Sequence, residues 1–341
     1  MGAHPRVTVY WYSQTGQLLE SVAAVTEPLE KAGWDVHRVE IRPWDAFPFP
    51  WPVRRFFGVF PASVDPDAAP PITVRPPVPE SDDTDLVIFA YPVWYLAPAL
   101  PMRALVRAEP KAFDGRAVIG LIACRNMWYS AALEAQQLLR DAGARYVGTI
   151  ASVDTASAGV TFVTTLRWLL AGKRDASWGF PRAGVGKDEL DRLAVLGERI
   201  AELAPAQGGP APERDMTGPE DADTSGPADT SGPAHEDALA DRVREVLAAH
   251  DAAPVNSPLA AADLLAGKVF RVWGRVIRAA GRRGEVQRAA LSGMFVLWLT
   301  GAILAGLPTV VVARVLFKAG FDAAVARRLA PVVARLAEVR R

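Results

Sequence analysis

Apolar residues in the first 154 positions recur in two alternating rhythms. Residues 7–12 (VTVYWY) are rich in β-branched and aromatic side chains, the composition of a strand. Residues 18–32 place Leu19, Val22, Val25 and Leu29 at three- and four-residue intervals and stop at Gly33, which predicts a helix. Residues 35–41 alternate as a half-exposed strand does. Residues 85–91 (DLVIFAY) and 117–124 (AVIGLIAC) are continuous apolar runs, as expected of strands covered on both faces. A helical stretch at 131–142 ends at Gly143, and 145–153 supplies a fifth strand. Strands separated by helices predict an α/β fold with a doubly wound, five-stranded parallel sheet. Two further helices are expected at 162–171 and 187–203.

Two stretches break this rhythm. The interval 42–83, which contains PWDAFPFPWPVRRFFGVFP, is crowded with Pro and aromatics and is too long for an idle loop. It reads either as a crossover capping one edge of the sheet or as an aromatic wall for an apolar substrate. Residues 205–236 repeat ADTSGP and hold almost no large apolar side chain, so they are expected to be a disordered linker. The linker divides a domain at 1–204 from a helical region at 237–341.

In that second region Lys268, Arg271, Arg275, Arg278 and Arg282 follow one another at intervals of three and four, with Phe270, Trp273, Ile277 and Ala280 on the adjoining face. The pattern predicts a basic amphipathic helix lying in a membrane interface. The segment 289–313 that follows carries no charge, and as a helix it covers roughly 37 Å, enough to cross a bilayer. A membrane-associated tail is therefore expected, as a span or as a re-entrant helix broken near Pro308; a buried soluble helix is the alternative. Basic residues before the segment outnumber those after it, which puts the N-terminal domain on the cytoplasmic face.

Composition narrows the classes. Formal net charge is zero, which offers no bulk attraction to nucleic acid. The single cysteine, Cys124, excludes an intramolecular disulfide and a cysteine-based zinc site. His235 and His250 are isolated, without metal-ligand spacing. The N-terminus shows no signal-peptide pattern, and Arg6 stands where a lipidation signal needs Ser or Thr.

Ligands of open parallel sheets bind beyond the carboxyl ends of the strands, and three loops leave strands there. Ser13-Gln14-Thr15-Gly16-Gln17-Leu18 combines hydroxyls, a glycine and a helix start, the makings of an anion site. It lacks the Lys of a nucleotide P-loop, so it suits a phosphate held by neutral donors, such as that of FMN. Pro92-Val93-Trp94-Tyr95 offers flat apolar surface for an isoalloxazine ring. In Cys124-Arg125-Asn126-Met127-Trp128, Arg125 or backbone N–H groups are placed to stabilise charge on a reduced flavin. Trp94, Met127 and Trp128 equally suit core packing. Tyr95 and Tyr129 are candidates for relaying a proton, and each equally suits packing.

The stretch YWYSQTGQL resembles the phosphate-binding loop of flavodoxin-like proteins, and YPVWYLAPALPMRALV is similar to their ring-contacting loop. Gln14 and Gln17 stand where that loop usually has hydroxyl residues. Together with PFPW, ACRNMW and LRWLLAGK, these motifs resemble the flavodoxin-like family of dialkylresorcinol condensing enzymes over about residues 7–174. The resemblance implies strand order 2-1-3-4-5, FMN as cofactor, and oxidation of a lipophilic 2,5-dialkylcyclohexane-1,3-dione to a dialkylresorcinol beside a separate ketosynthase. Arg125 would then stabilise enolate or reduced-flavin charge. Condensation itself would need an activated thiolate, and no histidine lies near Cys124 in the sequence. A membrane-tethered flavin reductase passing electrons from NAD(P)H to a quinone is the alternative, with oxygen or a quinone as the redox partner in either case. A non-catalytic scaffold of a lipid or polyketide pathway is a third reading.

Overall fold

A computed structural model describes residues 4–79, 84–154, 156, 158–177, 179–203 and 233–337. The sheet is laid down by β1 (Arg6–Trp11), β2 (Asp35–Pro43), β3 (Ile72–Arg75), β4 (Leu86–Trp94), β5 (Ala97–Pro98), β6 (Ala117–Cys124) and β7 (Arg145–Val153). Between them run α1 (Gln17–Lys31), α2 (Val53–Ser63), α3 (Leu100–Ala108) and α4 (Tyr129–Asp141). Then follow α5 (Ala158–Ala171), α6 (Lys187–Ala201), α7 (Pro233–Ala249), α8 (Ser257–Gly281), α9 (Glu285–Leu316), α10 (Lys318–Leu329) and α11 (Ala334–Ala337).

The strand order is β3-β2-β1-β4-β6-β7, with β5 paired to β4 off this path. β2, β1, β4, β6 and β7 run parallel, whereas β3 is antiparallel to β2 and β5 to β4. The chain thus forms an α/β fold with a mostly parallel central sheet. The expected five-strand sheet in the order 2-1-3-4-5 is corrected by these two additions. β3 comes from the interval 42–83, whose short ITVR segment finds a free edge on β2 immediately upstream. That interval also holds α2; residues 80–83 lie outside the described residues.

Alternation along the strands sends side chains to two cores. Tyr10, Phe89, Tyr91, Val118 and Ile122 meet α3 and α4 on one face, joined by Ala260, Val325 and Leu329 from the C-terminal helices. Val9, Ile88, Ile119 and Leu121 meet α1 and α6 on the other, joined by Val243 and Leu247 of α7. β4 is buried from Leu86 to Tyr91, which accounts for its unbroken apolar run. Residues 205–232 of the expected linker lie outside the described residues, and 233–236 already belong to α7.

The C-terminal helices are built into this body. The N–H of Ala151 on β7 donates to the carbonyl of Ala252 at 2.9 Å, and Arg244 donates to the Tyr146 carbonyl. The outer edge of β7 is covered in this way. Asp263 of α8, fully buried, accepts from the N–H groups of Tyr129 and Ser130 at the start of α4 (3.2 and 2.8 Å). α8 reaches that helix only because residue 267 is glycine: a Cβ there would stand 2.6 Å from Ser130 Oγ.

One expectation for the tail is revised by packing. The side of the basic helix that carries Phe270 and Ile277 faces the protein: the two pack with Phe60 of α2, with Val64 directly after it and with Phe295 of α9. The uncharged segment lies inside α9, where the side chains of 303, 304 and 306–308 lie outside the described residues. Among the described residues no helix is long and apolar enough to cross a membrane.

Candidate functional site

The carboxyl ends of β1, β4, β6 and β7 open onto one cavity of about 570 Å³, within the range of small-molecule sites. Ser13, Gln14, Thr15, Gln17 and Leu18 line it from the first loop, Pro92, Val93, Trp94 and Tyr95 from the second, and Cys124, Arg125, Asn126 and Met127 from the third. Three sequence candidates do not line it. Gly16 shapes the first loop from behind. Trp128 and Tyr129 are fully buried, stacked on each other with centroids 4.4 Å apart, and belong to the core under α4. The Tyr129 hydroxyl accepts from the N–H of Asn256 at 3.0 Å, so the tyrosine is a packing residue with its oxygen engaged.

The first loop turns into α1 through Gly16, whose φ of 83° is a left-handed conformation that side chains resist. Its N–H donates to Ser13 Oγ at 3.1 Å. Gly16 has no side chain to cap α1, and the Gln17 N–H meets Thr15 Oγ1 only at 3.5 Å. The N–H groups of that first turn, with the hydroxyls of Ser13 and Thr15 beside them, form a donor set suited to a phosphate. Gln14 faces elsewhere: its amide donates to the Pro48 carbonyl at 2.8 Å and its oxygen accepts from Trp51 Nε1 at 3.0 Å. The glutamine that replaces a hydroxyl residue therefore ties the loop to the aromatic interval.

That interval supplies a wall. Trp94 meets Tyr12, Phe47 and Trp51 edge to face, with centroids 5.7, 4.8 and 5.7 Å away. Such packing fixes the indole more firmly than area burial alone. Tyr95 and Leu96 follow with φ of 51° and 64°. The Tyr95 hydroxyl donates to the Phe56 carbonyl at 2.7 Å, and burial pushes its pKa well above the ordinary phenol range. Of the two readings offered for Tyr95, the packing one fits this geometry, because ionisation would break its bond inside an apolar wall.

The polar end of the cavity lies at β6 and β7. Asp154 directly follows β7 and is 7% exposed. Its Oδ1 accepts from the Ala156 N–H at 3.0 Å, and the Gly184 N–H also faces the carboxylate. Burial raises the Asp154 pKa against the opposing pull of these two N–H groups and of Arg125. Burial likewise lowers the pKa of Arg125, which Cys124 and Asp154 oppose. Asn126 Oδ1 is a buried acceptor without a partner among the described residues. The Cys124 thiol is held protonated, pushed up first by burial and then by Asp263. Among the described residues no group of three His, Cys, Asp or Glu converges to hold a metal ion.

No family model matches the chain, and no curated protein matches it. Solved flavoprotein structures do. A flavoprotein in complex with FMN from Lactobacillus acidophilus NCFM is similar at 15% identity and a TM-score of 0.36, covering 44% of this chain and 93% of that one. A putative flavoprotein from Bacteroides eggerthii is similar at 16% identity and a TM-score of 0.33, covering 42% and 86%. A putative flavoprotein from Bacteroides uniformis is similar at 14% identity and a TM-score of 0.33, covering 49% and 99%.

Two groups of lining residues were not singled out from sequence. Asp154 carried a usable signal, since it stands at the carboxyl end of a strand beside two other site loops. The second group comes from α5 (Thr165, Trp168, Leu169), α8 (Leu259, Ala262, Ala266, Val269) and α9 (Trp298, Leu299, Ala302). Nothing local marks these side chains, because small and apolar residues at helical spacing look alike whether they face a core or a cavity.

Proposed function

We propose that the chain is an FMN-dependent oxidoreductase acting on a lipophilic ring substrate. The observation that carries this reading is the convergence of the three strand-end loops, with the glycine-led start of α1, on one cavity whose remaining walls are apolar. Ser13, Thr15 and the first turn of α1 would hold the phosphate, and Trp94, Tyr95 and Met127 would flank the ring. Asn126 Oδ1, buried without a donor among the described residues, suits the N–H or O–H group of a guest, with the Asp154 carboxylate at the same end of the cavity.

When bound, FMN supplies a two-electron acceptor. The protein's part is to exclude water, orient the substrate and handle its proton. Asp154, with its pKa raised, is suited to accept a proton from a ring carbon or enol. Arg125 beside it offsets negative charge that develops on the substrate oxygen. Within this class the finer reading is oxidation of a 2,5-dialkylcyclohexane-1,3-dione to a dialkylresorcinol, with oxygen or a quinone taking up the two electrons. The apolar extension along α8 and α9 offers room for alkyl chains. A protonated, buried Cys124 does not suit an acyl-carrying nucleophile, so carbon–carbon condensation is left to a separate ketosynthase.

The test is a flavin titration of the purified chain, followed by anaerobic addition of a cyclic dione. FMN should bind and the dione should bleach it. Gly16→Val should weaken binding by about a hundredfold, since a β-branched residue is strained at that φ. Bleaching by NAD(P)H and not by the dione would move the assignment to a quinone reductase. Failure to take up FMN at all would leave a scaffold.

A further inference from the structure

Between its charged ends α9 carries apolar residues on two opposite sides, and among its described side chains one of these sides is packed and the other exposed. Its inward residues Leu291, Phe295, Trp298 and Leu299 meet α2 and α8, with Phe295 stacked on Phe60 at 3.9 Å between centroids. Its outward residues fall in two groups on one helical face, Val286 (79% exposed), Met294 (50%) and Leu297 (76%) in the first half and Val312 (56%) and Val315 (76%) near the end. A helix with that composition is normally enclosed, and contiguous apolar surface left open marks an interaction face. Alongside, α8 exposes Leu265, Val272 and Val276 interleaved with Lys268 and Arg275, and Arg282 follows at its end. Arg283 and Arg288 continue the positive border at the start of α9, where Glu285 pairs with Arg288.

We infer that this face of α8 and α9 lies in the interface of a bilayer carrying anionic lipids. The basic border is what selects lipid over a second copy of the chain, since a like copy would bring its own arginines to the same rim. Anionic headgroups neutralise that rim while acyl chains cover the stripe. The helices lie along the surface: their inner faces are committed to the protein, and only the outer stripe is available to lipid. This surface adjoins the cavity mouth, because Leu265 is 60% exposed and lines the cavity together with Ala302 and Val310. Resting on the function proposed above, a lipophilic substrate then passes from the bilayer to the ring site without crossing water.

Flotation of the full chain with vesicles tests this. Vesicles of phosphatidylcholine with phosphatidylglycerol should carry the wild type, and phosphatidylcholine alone should carry far less. Leu297→Glu with Val315→Glu should abolish flotation, and Arg282→Gln with Arg283→Gln should weaken it by on the order of thirtyfold. FMN uptake, read on the same samples, should be unchanged in all variants, which separates failure of docking from failure of the flavin assignment. The inference is overturned if the wild type stays out of both vesicle fractions. It is equally overturned if light scattering shows a discrete dimer that Leu297→Glu converts to a monomer, for then the stripe binds a second copy.

Discussion

The two ends of the cavity are built by opposite means. At the sheet end, short loops hold backbone groups and a few polar atoms in fixed positions, and each loop is set by its own strand and helix. At the helical end the walls are side chains of α5, α8 and α9, drawn from residues more than a hundred positions away from the first loop. One end offers directed polar contacts, the other only shape and apolarity. The proposed reaction, in which a ring is oriented while an alkyl chain is tolerated, would draw on that division, since hydrogen bonds discriminate sharply and methylene contacts do so weakly.

The largest effect should come from breaking the polar end. Asp154→Asn removes the proposed proton acceptor while keeping its size, so turnover of the dione should fall by about a thousandfold. FMN affinity should hold and the acidic limb of the pH–rate profile should vanish. Unchanged turnover would return Asp154 to a structural role.

The join between the two ends comes next. Arg103 of α3 is fully buried, pairs with Glu134 at 2.5 Å, and donates to the carbonyls of Ser63 and Asp65 beyond α2. Replacing it with Leu leaves two carbonyls unmatched and Glu134 with only the longer contact to Arg271 at 3.8 Å, costing about 3–5 kcal/mol in denaturant unfolding. A smaller loss would mean that the aromatic wall stands without this anchor.

Asp263 sharpens the comparison through pH. Burial, opposed by its bonds to Ser130 and Tyr129, raises its pKa from the usual 3.8 to about 6. The folded chain therefore keeps a proton that the unfolded chain releases between these values. The stabilisation is complete below about pH 4 and lost as pH rises through 6, a swing of about 3 kcal/mol. Relative to Asp263→Asn, the wild type should become less stable from pH 4 to 7; parallel curves would place the carboxylate in a more polar setting.

The smallest effect is assigned to Tyr95→Phe. Losing its bond to the Phe56 carbonyl should cost about 1 kcal/mol in stability. Turnover should be unaltered, because the hydroxyl points into the wall; a large kinetic loss would restore the proton-relay role.

Much of the sheet end is legible in the chain because its signals are local. A glycine beside a helix start, an unbroken run such as that of β4 and an aromatic cluster after a strand each follow from a few neighbouring residues. The errors fall where two readings share one composition. Trp128 and Trp94 both follow strands and both look like ring contacts, yet one is sealed beneath α4 and the other faces the cavity. Phe270 and Ile277 have the spacing of a lipid-facing stripe, but α2 and α9 occupy it.

By itself the sequence determined the alternation of strands and helices, the phosphate-suited turn at Gly16 and the uncharged length of 289–313, since periodicity and backbone constraint act over a few residues. The tertiary structure alone decided which apolar face turns inward, that Asp154 stands with Arg125 at the cavity's polar end, and that α8 and α9 wall the same cavity. Those outcomes depend on which distant surfaces compete for burial, and apolar attraction has no direction until a fold supplies one.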